Sequence, residues 1–293
     1  MLLSDDSRVE IPRQPYVVPM VQQGQSMRLG EADVVVLPEI TPEPIWHAFK
    51  RRGCSLVMHN QNPYYSFKSF PTIKALDEFG LRGGLCCSHF TRDRLRTWGS
   101  LIDWQVVKPF VLPIFAETAR QFGQGRKRQI VYMPRKRADE ASWVRALFLM
   151  RYPQFNDVPW VEIKNRSRKE VAALMAESSI FLSLSHMEGL GLPPLEAMAS
   201  GCLVVGFTGG GGSEYATNEN GRWVSDGDLD ALVDAIALDL AMDQQATSER
   251  QEAGRRTVNA FSNESFEASL HSAWTQLLGN AVNHYQLKAI PFV

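Results

Sequence analysis

A chain of 293 residues is long enough for two domains of ordinary size. With 44% hydrophobic and 22% charged residues it has the composition of a soluble globular protein. A formal net charge of -1 excludes the overall basic field by which proteins draw in nucleic acid.

The opening MLLSDDSRVE sets two aspartates after two leucines, so no signal-peptide core is expected. No apolar run approaches the ~20 residues that span a bilayer. The longest candidate, residues 231–242, is broken by Asp234 and Asp239. A cytoplasmic location is therefore expected. Cys54, Cys86, Cys87 and Cys202 form no Cys-x-x-Cys pair and have no histidine at zinc-ligand spacing. Buried free thiols are expected, with no metal and no cofactor.

In chain order, Gln22–Gln23–Gly24–Gln25 after a strand over 16–20 is the nearest approach to a glycine-containing loop following a first strand. Strands are predicted over 33–37 (DVVVL), 55–59, 85–88 and 105–112. Helices are predicted over 44–52, closed by Gly53, and over 91–98. The stretch 116–128, with Gly123, Gly125 and the run Arg126–Lys127–Arg128, reads as a linker.

The second half alternates more clearly. A buried strand over 129–133 precedes a helix over 139–151 with Trp143, Leu147 and Met150 on one face. A short strand over 160–163 precedes a helix capped by Ser167, with Glu170 completing a capping box and Val171, Leu174 and Met175 as its apolar stripe. A strand over 180–184, a helix opened by Pro193–Pro194 and ended by Gly201, and a strand over 203–207 follow. After the glycine-rich loop 209–212, a short strand over 222–224 precedes a helix capped by Asp228. Such alternation predicts parallel sheets covered on both faces, which bind ligands beyond the carboxyl ends of their strands. The fold class is α/β, with two Rossmann-like lobes facing a cleft and an abbreviated N-terminal lobe. The expected division is 1–115, a linker at 116–128, a second lobe at 129–278, and a tail at 279–293 that returns to the first lobe.

The segment 185–201, SHMEGLGLPPLEAMASG, joins the end of a buried strand to a proline-started helix. Free N–H groups around Gly191 and Leu192 at the helix N-terminus favour a phosphate, and Gly189 and Gly191 let the backbone approach a ligand. Glu188 is placed in the loop and Glu196 in the first turn of the helix. Glu196 could accept hydrogen bonds from two neighbouring hydroxyls, as a ribose presents, and Glu188 could do so for a sugar ring. Alternatively both are solvated acids, with Glu196 favouring a helix N-terminus.

This segment closely resembles the Glu-x7-Glu signature of the retaining glycosyltransferase family 4 group, roughly E-G-F-G-L-P-x-L-E-A-M-A-x-G, with Leu190 where Phe is usual. The resemblance continues through 203–207, the glycines 209–212 with Ser213 and Glu214, and Asn220–Gly221, covering about the last 165 residues. It implies the GT-B fold, a nucleotide-sugar donor, a saccharide or lipid-linked acceptor, and retention of anomeric configuration. It also implies that Glu188 contacts the donor sugar and Glu196 holds the ribose. The family places an Arg at a strand end and a Lys several residues later to grip the diphosphate. Arg135 fits the first role, and Lys136 or Arg137 must stand in for the second, since Asp139 and Glu140 lie near where the Lys is expected.

Arg126–Lys127–Arg128 precede the strand and are read as surface. His59, at a strand end of the first lobe, is a candidate for donor-sugar contact or a structural histidine. Tyr64 and Tyr65 are candidates for an acceptor surface or for packing. Asp226–Gly227–Asp228 has the metal-binding form of the other glycosyltransferase fold, GT-A, but is read as a helix cap. The implied enzyme is a metal-independent glycosyltransferase, with polysaccharide or glycolipid assembly as its setting. Peripheral membrane contact is compatible with a lipid-linked acceptor, and no oligomeric state is implied. The competing readings are a non-catalytic nucleotide-sugar-binding subunit and a nucleotide-sugar epimerase or hydrolase.

Overall fold

The computed structural model describes residues 29–123 and 125–279. The expected strand over 16–20, the loop at 22–25 and the tail beyond Gly279 lie outside these residues. The first lobe runs β1 (Val34–Pro38), α1 (Glu43–Lys50), β2 (Ser55–Asn60), a 3-10 turn (Pro63–Lys68), α2 (Ile73–Glu78), β3 (Gly83–Cys86), α3 (His89–Thr97) and β4 (Trp104–Val106). Its sheet is parallel in the order β1-β2-β3-β4. The predicted strand over 105–112 is cut short after Val106 because Pro109 and Pro113 remove ladder donors, and residues 107–113 cross to the second lobe.

The second lobe begins with α4 (Ile114–Phe122) and β5 (Lys127–Tyr132). It continues α5 (Ala138–Arg151), a 3-10 turn (Pro153–Phe155), β6 (Trp160–Glu162), α6 (Arg168–Glu177), β7 (Ser178–Glu188) and α7 (Leu192–Ala199). Next come β8 (Leu203–Gly210), a 3-10 turn (Gly211–Glu214), β9 (Arg222–Trp223), α8 (Leu229–Leu240), α9 (Gln244–Asn259) and α10 (Asn263–Leu278). The sheet is parallel in the order β6-β5-β7-β8-β9. Its core strands are buried on both faces. Val131, Phe181 and Val204 meet Ala172, Met175, Leu195 and Met198 of α6 and α7. Ile130, Leu182 and Val205 meet Val144, Phe148, Leu232 and Ile236 of α5 and α8.

Several elements differ from the sequence expectation. Residues 116–128, expected as a linker, hold most of α4, whose Phe115 is buried in the same core as Met175 and Leu195. Ile114, Phe115 and Ala119 supply an apolar face that the following glycines mask in a composition reading. Arg126, read as surface, is half-buried. Its guanidinium donates to the carbonyl oxygens of Met175, Ala176 and Ser178 at the end of α6 and of Ser200 at the end of α7. One cation thereby satisfies two helix C-termini, where unpaired carbonyls concentrate negative charge. On α5 the buried side is Ala141, Val144 and Phe148, whereas Trp143 is 56% and Met150 73% exposed. The helix is apolar on more than one side, so spacing alone does not choose its face; the flat Phe148 ring fits because it stacks on Phe155 at 6.0 Å. The return to the first lobe is made by α10: Ala273 and Leu277 pack with Val57, Leu85 and Val107, and Arg82 Nε donates to the Leu277 carbonyl at 3.1 Å.

All four cysteines are free and buried. Among the described residues no helix is long and apolar enough to cross a membrane. Replacing Arg126 by Ala would leave several carbonyls without a donor and should lower unfolding stability by about 2–3 kcal/mol in urea titration, with β7 and the site beyond it still formed at low denaturant. An unchanged midpoint would show that water serves these carbonyls equally well.

Candidate functional site

The chain leaves β5 for β6 on one side and returns, through α6, to β7 on the other. The crevice at this reversal lies beyond the carboxyl ends of β5 and β7, where open α/β sheets bind ligands. The turn after β5 carries Arg135, Lys136 and Arg137. The end of β7 carries His186, Met187 and Glu188.

The strand β7 is longer than the 180–184 expected, because the ladder with β8 continues past the apolar run, with Ser185 opposite Thr208 and Glu188 opposite Gly210. Glu188 is consequently the last strand residue, in register with Gly210, rather than a loop residue. The ladder with β8 shifts between Ser185 and Glu188. Such a bulge re-aims the side chains that follow it.

Lys136 Nζ lies 2.7 Å from Glu188 Oε1 and donates to the carbonyl of His186 at 3.0 Å. Arg137 is buried, paired with Glu140 and Asp226, hydrogen-bonded to His186 Nδ1 at 2.7 Å, and set over the Phe207 ring. Its charge is committed to holding the turn, so Lys136 is the cation that reaches Glu188. Arg135 is exposed beside it, with no carboxylate partner among the described residues. Asp226 is occupied by Arg137, and Asp228 Oδ1 caps α8 by accepting from the Ala231 N–H at 2.9 Å. Both aspartates of the Asp-Gly-Asp run therefore have structural partners.

Beyond Glu188 the chain turns through Gly189 and Leu190 to Gly191. Gly191 is the N-cap of α7, in the left-handed region at φ +84°, with no side chain capping the helix. Pro193 and Pro194 carry no N–H, so the donors at this end are few, among them the amides of Gly191 and Leu192. The Tyr215 hydroxyl donates to the Gly191 carbonyl at 2.6 Å and fixes the peptide's orientation. Leu192 is partly buried against the core under α7.

Glu196 is the fifth residue of α7, one position beyond the first turn where it was expected. It has no hydrogen-bond partner among the described residues, and burial pushes its carboxyl up to about 7. A helix-dipole role for a solvated acid does not suit a desolvated carboxyl past the first turn. The position suits an acceptor awaiting hydroxyl donors.

The first lobe meets this turn directly. Asn62 Nδ2 donates to the Met187 carbonyl at 2.7 Å. Ser88 Oγ and Thr91 Oγ1 both donate to the Gly189 carbonyl, the latter at 3.2 Å. A Cβ on Gly189 would fall 2.0 Å from the Gln61 carbonyl oxygen, so only glycine allows the lobes this close. Glu214, of the 3-10 turn after β8, accepts from the Phe90 N–H at the start of α3 at 3.1 Å. Tyr65 lies across the crevice with its ring 6.0 Å from Lys136 Nζ, whereas Tyr64 packs on Trp98. His59, the expected first-lobe site residue, is half-buried on β2. Burial lowers its pKa, so it is neutral at pH 7, and no hydrogen bond joins it to Glu188 or Lys136. The residues that touch the turn lie two to three positions further on, or beyond β3. The strand-end reading singles out His59, and nothing in the sequence singles out Ser88 and Thr91.

The family model for glycosyl transferases group 1 matches residues 161–257, which include this turn and α7. The chain is 30% identical over 232 residues to an alpha-1,6-glucosyltransferase of Actinobacillus pleuropneumoniae serotype 7, spanning 78% of this chain and 69% of that one. Its fold is similar to sucrose-phosphate synthase from Thermosynechococcus elongatus, with TM-score 0.65, 17% identity, and 83% and 73% of the two chains covered. It is also similar to alpha,alpha-trehalose 6-phosphate synthase from Burkholderia multivorans, with TM-score 0.67, 15% identity, and 85% and 73% covered.

The raised carboxyl of Glu196 has a consequence for stability. Between about pH 4.5 and 7 the folded chain keeps a proton that the unfolded chain releases, so stability falls as pH rises through this window and levels off above it. Relative to Glu196→Gln, the wild type should lose on the order of 3 kcal/mol from pH 4.5 to 8 in denaturant titrations. A difference that stays flat across that range would mean the carboxyl is hydrated.

Proposed function

The chain belongs to the glycosyl transferases group 1 family and is a glycosyltransferase of the GT-B fold; from that premise we propose that it moves a sugar, with retention of configuration, from a nucleoside diphosphate to an acceptor hydroxyl. The observation that carries this reading is the desolvated, unpartnered Glu196 one helical turn beyond an amide-lined bend, with Glu188 and Lys136 on the bend's other side. A ribose that donates both hydroxyls to Glu196 directs its diphosphate toward the Gly191 and Leu192 amides and the Arg135–Lys136 turn. The sugar then lies against Glu188.

As the bond from the anomeric carbon to the diphosphate oxygen breaks, the electron pair and the growing negative charge go to the diphosphate. Arg135, Lys136 and the bend amides are placed to stabilise that charge. The acceptor oxygen bonds to the anomeric carbon on the face just vacated, and its proton passes to the departing phosphate oxygen. No covalent enzyme intermediate is required. Lys136 pairs with Glu188, so an incoming diphosphate competes for the ammonium and frees Glu188 for sugar hydroxyls. The first lobe closes over the bend and excludes water, which strengthens each of these interactions.

The reading requires no metal, because the aspartates that could hold one pair with Arg137 and cap α8. A hexose donor fits the similarity to a glucosyltransferase, and the proposed acceptor is a saccharide or a lipid-linked saccharide. Work in the cytoplasm, at the membrane surface when the acceptor is lipid-linked, completes the proposal.

A thermal-shift screen of UDP, GDP and ADP and their hexose conjugates should reveal one base whose ligands raise the melting temperature. With that nucleotide, Glu196→Ala should weaken binding by about 1.5–3 kcal/mol in calorimetry, and unchanged affinity would remove Glu196 from the ribose site. Glu188→Gln should cut transfer at least tenfold while unfolding stability stays near that of the wild type. Wild-type turnover in that variant would take Glu188 out of the chemistry, and a donor bound tightly but never turned over would point to a non-catalytic binding subunit.

A further inference from the structure

Among the described residues only Asn165 and Met187 combine a side chain with a positive φ, at +52° and +48°. Asparagine adopts this region readily. An unbranched apolar residue does so at a cost, and stays there only where its surroundings impose it. Met187 lies inside the bulge that precedes Glu188. Its side chain is not what holds it, since it is 42% exposed.

The restraint acts on the carbonyl. Two donors converge on the Met187 oxygen: Lys136 Nζ at 3.4 Å from its own lobe, and Asn62 Nδ2 at 2.7 Å from the other. Asn62 is only 4% exposed, and its Oδ1 accepts from the Tyr64 N–H at 3.1 Å. The carboxamide is thus used at both ends: the oxygen caps the 3-10 turn of the first lobe, and the nitrogen can only point outward, across the lobe boundary. No other side chain of this size both donates and accepts in this way; aspartate would set an acceptor against the Met187 oxygen.

We infer that Asn62 is a positioning residue, which bolts the first lobe to the Met187 carbonyl and fixes the strained bulge that aims Glu188 into the crevice. The assignment of Glu188 to the donor sugar is the reading it rests on. Ser88 and Thr91 hold the Gly189 carbonyl from the same lobe, so the first lobe grips the bend at two points. Lobe closure and the orientation of Glu188 are therefore one event. When the lobes part, Met187 keeps only the Lys136 contact, and the bulge can relax.

The test uses the full chain without ligand. Leu101 is 89% exposed on the first lobe and Met150 73% exposed on the second, and the four native cysteines are buried, so Leu101→Cys with Met150→Cys takes a spin label at each site selectively. In Asn62→Ala and Asn62→Asp the distance distribution between the labels should lengthen and broaden. Amide hydrogen exchange over residues 186–190 should accelerate at least tenfold, while residues 180–184 stay protected. A side chain that merely supports the first lobe would lower the unfolding midpoint without moving either readout. Asn62→Asp retains an oxygen for the Tyr64 N–H and so covers the case in which the alanine variant does not fold. Wild-type distances and exchange in Asn62→Asp would overturn the inference. Failure of the donor reading shows separately, as a wild-type chain whose melting temperature no nucleoside diphosphate raises.

Discussion

The site exists because the strand order of the second-lobe sheet reverses between β5 and β7, all its strands staying parallel. At that reversal the connections diverge to opposite faces of the sheet and leave a crevice that no crossover helix covers. Each feature of the site descends from it. The turn after β5 delivers the cations and the end of β7 delivers Glu188. The bend through Gly189 and Gly191 then carries the chain into α7, whose start has no side-chain cap. The first lobe adds no strand to this sheet; it reaches the bend through Asn62, Ser88 and Thr91.

Charge within the crevice is divided between structure and ligand. Arg137 and Asp226 neutralise each other, and Arg137 ties the β5 turn to His186, so the turn keeps its shape whether or not an anion is present. Lys136 and Glu188 are paired but remain partly open to solvent, so on the proposed reading a diphosphate would separate them at modest cost. Glu196 is different again, a half-buried, desolvated carboxyl with no hydrogen-bond partner among the described residues. A desolvated acid without a donor lowers the stability of the fold, and on the proposed reading the ribose hydroxyls would offset that cost.

Much of this was legible in the sequence. The parallel sheets announced themselves through short apolar strands, and Ser167, Asp228 and the prolines of α7 marked helix starts that the structure reproduces. The acids Glu188 and Glu196 were visible because a long motif surrounds them. What escaped was decided by partners remote in sequence. Arg126 looked like a surface charge because the carbonyls it serves lie about 50 and 74 positions away. The face of α5 was misjudged because Phe148 was chosen over Trp143 by rings contributed from other segments. That Arg137 pairs with Asp226, far along the chain, while Lys136 reaches Glu188 was equally hidden. His59 drew attention as a polar side chain at a strand end, while the interlobe contact fell to Asn62, whose role depends on a carbonyl that no sequence pattern displays.

The central claim is that the crevice between β5 and β7 holds a nucleoside diphosphate with its ribose on Glu196. A crystal structure of the chain with the nucleotide that gives the largest thermal shift tests this most directly. The account predicts both ribose hydroxyls within hydrogen-bond distance of the Glu196 carboxylate, with the diphosphate against the Gly191 and Leu192 amides and the Lys136 ammonium. A nucleotide bound elsewhere, such as the cavity of about 350 Å³ between α3 and the 211–214 turn, with Glu196 untouched, would contradict it.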